Sequence, residues 1–245
     1  MKPNSSTRDR GTLRTHGPRK GLLHRIVEHN LMKRVSYREY RNAVREKYDG
    51  PQGAFLSTAS FLSLHLQLGD RLFRRRVFDL QGSKRILDVG SGAGQMAKPL
   101  LKYADPDAAV TCFDLSLEML RRARQRLKSD APRFAVADLS HLPFADGSFD
   151  CVTCGYVIEH LPDPRPGLRE LARVLAPGGR MLLLATEDSF SGAFTSRIWL
   201  CRTFNRRELH RACEEAGLHW RRELWFSRMH RLFRAGGIGV EIVRA

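Results

Sequence analysis

Three glycines at alternating positions, Gly90, Gly92 and Gly94, follow Asp88 at the end of the apolar run Ile86-Leu87-Asp88-Val89. Glycine lets the backbone turn sharply and approach a ligand with no Cβ in the way. A β-rich run before the loop and a helical run after it place the loop at a strand-to-helix turn. There, free N–H groups and the helix dipole suit a carboxylate or phosphate. A dinucleotide site needs G-x-G-x-x-G/A, and Gln95 stands at its last position. The spacing Asp-x-Gly-x-Gly-x-Gly fits instead a ligand with an amino-acid end, with Asp88 near its ammonium. Twenty residues beyond Gly94, Asp114 closes a second β-rich run and is placed to accept hydrogen bonds from both hydroxyls of a ribose. Its alternative role is a helix N-cap, which Ser116 serves equally well.

Further along, Tyr156, Glu159 and His160 (in YVIEHL) are the nearest side chains able to take a proton from an acceptor. Each also has a plainer reading, as a surface or supporting residue. His65, His141, His210, His219 and His230 stand isolated and carry no assigned chemistry. Cys151-Val-Thr-Cys154 spells C-x-x-C, but it lies in a strand-like run where a separation of three puts the thiols on opposite faces. No second Cys/His pair follows at zinc spacing, so no metal is expected. Five cysteines without a disulfide spacing read as free thiols in a reducing cytoplasm.

The elements that must position these residues alternate from residue 83 onwards. Strands are expected at 85–89, 109–113, 133–135, 149–154, 180–185, 220–225 and 239–243. Helices are expected at 95–103, 117–128, 166–175 and 206–215. Strands alternating with helices of about ten residues indicate βαβ units and an open, doubly wound parallel sheet. Asp146-Gly147 is a turn by its chemistry, and Phe149 beyond it is core. Before residue 83 the spacing predicts helices, the second over about 55–80 with an interruption at Gly69-Asp70. The expected division is a disordered basic tail (1–20), a helical extension (21–82) and an α/β domain (83–245).

The 245 residues carry 42 Lys+Arg against 26 Asp+Glu, a net charge of +16. The surplus lies in the flanks: +8 over 1–50, +4 over 51–86 and +6 over 197–245, against −2 over 87–196. Such an excess points to an anionic partner, either a membrane surface or a nucleic acid. No apolar run reaches the length of a membrane span, and no secretory leader is visible, so the expected location is cytoplasmic and membrane-peripheral.

Four segments taken together resemble the class I S-adenosylmethionine-dependent methyltransferases, specifically their type 11 group. They are ILDVGSGAGQM, FDLSLEML, ADLSHLPFADGSFDCVTCGYVIEHL and ELARVLAPGGRMLLLA, in order over about 84–187. The resemblance implies a Rossmann-like, mostly parallel seven-stranded sheet with an antiparallel last strand. It implies S-adenosyl-L-methionine as cofactor, with Gly90, Gly92 and Gly94 along its methionine part and Asp88 on the ammonium side. Asp114 would hold the ribose and Asp138 with the Leu139 backbone the adenine, and Leu115 would also contact the cofactor. Gly155 and Tyr156 would face the methyl group. An Asn/Asp-Pro-Pro-Tyr motif, found in relatives that methylate exocyclic amines, is replaced here by Cys154-Gly155-Tyr156-Val157.

The acceptor would lie under the extension and the segment 189–205, where Phe190, Phe194, Ile198 and Trp199 mix with Arg197 and Arg202. The stretch 221–234 repeats that mixture of aromatic side chains and arginine. The leading expectation is a small organic or lipid-like methyl acceptor. An RNA methyltransferase and a cofactor-binding module without turnover remain as alternatives.

Overall fold

The computed structural model describes residues 64–189, 201–225 and 237–245, together with the single positions 42 and 192. The tail at 1–20, the extension before Leu64, and Phe190, Phe194, Arg197, Ile198 and Trp199 lie outside the described residues, as does most of 221–234 beyond Trp225.

Seven strands form one sheet in the order β3-β2-β1-β4-β5-β7-β6. They are β1 (Arg85–Val89), β2 (Ala109–Asp114), β3 (Arg133–Val136), β4 (Phe149–Gly155), β5 (Leu175–Ala185), β6 (Leu218–Glu223) and β7 (Ile238–Arg244). The pairings among the first five are parallel, and β7 runs antiparallel to both β5 and β6. The Rossmann-like α/β sheet expected from the resemblance is therefore the one observed. Central strands are buried almost throughout, as a parallel sheet covered on both faces requires. The edge strands β3 and β6 are largely exposed.

Helices α1 (Leu64–Arg74), α2 (Ala97–Tyr103), α3 (Leu117–Leu127), α4 (Pro164–Val174) and α5 (Arg206–Glu215) cover the sheet. Their starts follow from local chemistry. Ser116 caps α3 through Met119 N–H, Asn205 caps α5 through Arg207 N–H, and Asp163 caps α4 ahead of Pro164 in the first turn. Leu168 and Leu171 of α4 join Leu209 of α5, Leu87 and Cys154 in one core layer. Leu72 of α1 joins Phe78, Ile86, Leu100 and Cys151 in the other. Cys151 and Cys154 thus sit on opposite faces, as their separation in a strand dictates. All five cysteines are buried thiols outside any disulfide, and burial raises each well above its ordinary value.

Several boundaries differ from the sequence expectation: β6 runs over Leu218–Glu223 and not 220–225, α4 starts at Pro164 and not at 166, and three further differences have local reasons. Helix α1 runs unbroken through Gly69-Asp70 and stops at Arg74, because Gly69 serves packing and not a turn. A Cβ there would lie 3.2 Å from Met96 Sδ. Helix α2 starts at Ala97 and not at Gln95, since the chain is still turning through the glycine loop. Strand β5 begins at Leu175, pairs there with Phe149, bulges over Pro177-Gly178-Gly179 and resumes pairing at Arg180.

Candidate functional site

The residues singled out in the sequence gather at the carboxyl ends of β1, β2, β3 and β4. Asp88, in β1, is buried with 1% of its surface exposed. Thr153, in register on β4, donates its hydroxyl to Asp88 Oδ1 at 3.0 Å, while Oδ2 is buried with no hydrogen-bond partner. Burial pushes this carboxyl up from 3.8 to about 7, and the nearby hydroxyls of Ser91 and Thr153 oppose the shift. An acceptor atom left unpaired inside a protein costs about 1–3 kcal/mol. Its place beside the glycine loop fits the loop's own chemistry: a ligand ammonium there would satisfy it.

The loop is built for close approach. Gly90 has φ +61°, and a Cβ on it would stand 2.4 Å from a Val157 methyl. At Gly92 (φ +52°) a Cβ would lie 3.0 Å from Gln95 Oε1. Gly94 has φ +87° for a different reason: its open side packs on Ala123 and Leu127 of α3. Two bonds fix the loop to the end of β2, Ser91 N–H to Phe113 O at 2.9 Å and Gly92 N–H to Asp114 Oδ2 at 2.9 Å. Asp114 Oδ1 accepts from Ser116 N–H at 2.9 Å, so Asp114 ties the first two turns together while Ser116 caps α3. That coupling is invisible in the sequence, where Asp114 reads as a ribose ligand or, alternatively, as the N-cap of the helix that follows.

Leu115 is half-buried beside Asp114. At the end of β3, Asp138 is half-buried and turns the chain through Ser140 N–H to Oδ1 (2.9 Å). Leu139 is 5% exposed and packs toward Gly167 of α4, so its backbone is what it offers a ligand. Asp88, the glycines, Asp114 and Asp138 thus stand on adjacent strand ends in the sequence of contacts β1, β2, β3.

Beyond β4, a Cβ on Gly155 would lie 3.5 Å from Met96 Cε. Tyr156 is half-buried at φ +59°, a left-handed backbone that is costly for a bulky side chain. Its N–H donates to Leu184 O at 2.8 Å, and its ring borders Gly237. Burial, with the charge of Glu159 adding to it, raises the phenol. His160 closes the short 3-10 turn Ile158–His160 and is half-buried.

Glu159 is 4% exposed, which removes the surface role open to it in the sequence. Thr186 donates its hydroxyl to Glu159 Oε1 at 2.5 Å and its N–H to Oε2 at 3.2 Å. Burial raises this carboxyl to about 7. Arg202 N–H donates to Glu159 O, so Glu159 binds the turn after β4 to the end of β5 and to the 201–204 segment. Sequence reasoning missed a neighbouring latch altogether: buried Glu187 accepts from Arg206 Nε (2.7 Å) and Nη2 (3.0 Å). Arg206 also reaches Gly237 O and lies 4.6 Å from the centroid of the Trp225 ring. Among the described residues no cluster of three His, Cys, Asp or Glu side chains could hold a metal ion.

An open α/β sheet with a glycine turn after β1 and carboxylates ending β2 and following β3 defines a nucleoside-cofactor protein. A family model described as a methyltransferase domain matches residues 87–183. The chain is 37% identical over 168 residues to the demethylmenaquinone methyltransferase of Deinococcus radiodurans, covering 64% of this chain and 69% of that protein. It is 41% identical over 130 residues to the demethylmenaquinone methyltransferase of Thermus thermophilus, covering 51% and 59%. The chain spans about half to two thirds of the length of the curated relatives it matches. In fold it is similar to the magnesium protoporphyrin IX methyltransferase of Synechocystis solved with S-adenosylhomocysteine. That likeness has a TM-score of 0.64 at 19% identity, over 84% of this chain and 100% of that one. The chain belongs to the S-adenosylmethionine-dependent methyltransferases of the family matched at 87–183.

Proposed function

We propose that this protein transfers a methyl group from S-adenosylmethionine to a small, lipid-like acceptor of the quinone type. The observation that carries the cofactor half is the buried Asp88 carboxyl, with one oxygen held by Thr153 and the other unpartnered beside the glycine turn. When bound, the cofactor supplies a methyl group on a sulfonium, already an electrophile. Asp88 takes its ammonium, Gly90, Gly92 and Gly94 its methionine chain, Asp114 and Leu115 its ribose, and Asp138 and Leu139 its adenine. The remaining work of the chain is alignment and exclusion of water, worth roughly 7–11 kcal/mol when complete. Gly155 leaves room above β4, and Tyr156 walls that room in its strained backbone. Glu159 acts as a positioning residue through Thr186, and His160 takes the proton where an acceptor must lose one.

The acceptor half draws support from the relatives named demethylmenaquinone methyltransferases. An acceptor of that kind resides in a membrane, and a net charge of +16 suits a peripheral enzyme working against an anionic surface. Among the described residues no helix is long and apolar enough to cross a membrane. The residues before 83 serve in this reading as a cap on the α/β domain.

Calorimetry with S-adenosylhomocysteine checks the cofactor half: Asp114→Ala is expected to weaken binding at least tenfold. Unchanged affinity would show that Asp114 does not hold the ribose. A labelled-methyl assay on demethylmenaquinone dispersed in detergent checks the acceptor half. Cofactor binding with no transfer there would replace the quinone reading with another acceptor or with a binding module.

A further inference from the structure

We infer that the arginines where the end of α1 meets the β6 edge form a docking surface for an anionic phospholipid bilayer, an inference that rests on the membrane-borne acceptor proposed above. Helix α1 ends at Arg74 and the turn after it adds Arg75 and Arg76, all three exposed. The turn that carries them is fixed: Arg76 N–H donates to Phe73 O at 3.0 Å and Val77 N–H to Leu72 O at 2.8 Å. This is the double closure of a helix end, with Arg76 at φ +51° in the position that favours glycine. A strained arginine there keeps a charge on a rigid turn where glycine would be easier.

The second half of the surface comes from β6. Arg221 and Arg222 have side chains 60% and 51% exposed. Arg222 Nη2 donates to Val77 O at 2.8 Å, bringing the strand's guanidinium against the turn after Arg76. Arg180 of β5 lies beneath, over the Phe78 ring. The opposing charges are Asp70, 3.7 Å from Arg74, Asp79, which accepts from Gln81 N–H, and the buried Glu241, which contacts Arg180, Arg221 and Arg222. Six arginines against three carboxylates leave a surplus of three. Arg75 and Arg76 have no carboxylate partner among the described residues, which leaves both free to meet phosphate.

The chemistry favours lipid phosphates over RNA. Bases are read by stacking on exposed aromatic rings. Among the described residues the phenylalanines beneath these arginines, Phe73 and Phe78, are 4% and 0% exposed and belong to the core. Among those residues the arginines stand outside without a phenylalanine ring to stack on. The surface also stands on the edge of the sheet, whereas the glycine turn and Asp114 stand at the strand ends in its middle, so docking leaves the cofactor site open.

The test uses the full chain and sedimentation with vesicles of phosphatidylglycerol and phosphatidylcholine, against phosphatidylcholine alone. Each exposed arginine contributes roughly a fivefold change in partitioning onto an anionic surface. The variant Arg74→Gln/Arg75→Gln/Arg76→Gly is expected to bind the anionic vesicles roughly a hundredfold more weakly. Its S-adenosylhomocysteine affinity should match the wild type, and glycine at 76 relieves the backbone and keeps the fold. Wild-type binding that ignores phosphatidylglycerol, or a variant that binds as wild type does, overturns the inference. So does salt-sensitive binding to RNA without vesicle binding, which puts nucleic acid in its place. Failure of methyl transfer in detergent instead overturns the acceptor reading and leaves the vesicle result standing.

Discussion

Asp88 carries opposite demands in the free and the liganded protein. Its carboxyl rises from 3.8 to about 7 because it is buried. Between those values the folded protein holds a proton that the unfolded chain has released. Stability of the free protein therefore falls as pH climbs from 3.8 to about 7, and this contribution is constant above. Cofactor affinity runs the other way, because a ligand ammonium favours the carboxylate. It should strengthen up to about tenfold per pH unit below 7 and level off above, until the ligand's own ammonium loses its proton. Glu159 also titrates near 7, so Asp88→Asn removes only part of the stability slope. The affinity slope belongs to Asp88 alone, and calorimetry with S-adenosylhomocysteine across neutral pH measures it. A wild-type affinity that stays flat through that range removes Asp88 as the ammonium partner.

Among the elements, the turn after β1 and the helix α1 put glycine to contrasting uses. At Gly90 a methyl group would meet Val157 at 2.4 Å on a backbone at φ +61°, and Val157 is held by the turn it begins. Gly90→Ala is expected to cost roughly 1–3 kcal/mol of stability and to abolish cofactor binding. At Gly69 the backbone is helical and the nearest atom is the end of the flexible Met96 side chain, at 3.2 Å. Gly69→Ala should stabilise by up to about 1 kcal/mol, the helix preference of alanine over glycine. Thermal denaturation of both variants checks the contrast, and equal losses would show that α1 depends on close contact with Met96. This pair also marks what was legible in the sequence. The β1 turn announced itself through Asp88 and its three glycines, and α5 through Asn205 and Gly217, because caps and turns are local chemistry. Gly69 looked like a break because its reason lies across space, in Met96. For the same reason Glu159 stood as a proton acceptor or a surface or supporting residue until Thr186 was placed beside it, and Arg206 drew no notice before Glu187 came within 2.7 Å.

Across the whole molecule the two basic flanks meet at one buried acid. Glu241 lies in register with Leu182 of β5 and Arg222 of β6, the row that continues through Thr153 to Asp88. It is 1% exposed, 2.6 Å from Arg222 and 3.2 Å from Arg221, and Arg222 reaches on to Val77 O. The α1 end and the C-terminal strand pair, far apart in sequence, are thus joined through one carboxylate. Glu241→Gln keeps the shape and removes the charge, so Arg180, Arg221 and Arg222 repel one another with no counter-ion between them. The loss should be about 1–2 kcal/mol, at the lower end for charged hydrogen bonds because half of each β6 guanidinium is in water. Hydrogen exchange locates the effect better than a melting curve does. Amides of β6 and of Val77 and Phe78 should exchange faster together in the variant, while β1, β2 and β4 keep their protection. Faster exchange in β6 alone would show that Arg222 holds the flank without Glu241. An even rise over the whole sheet would make Glu241 part of the common core rather than the joint between its two ends.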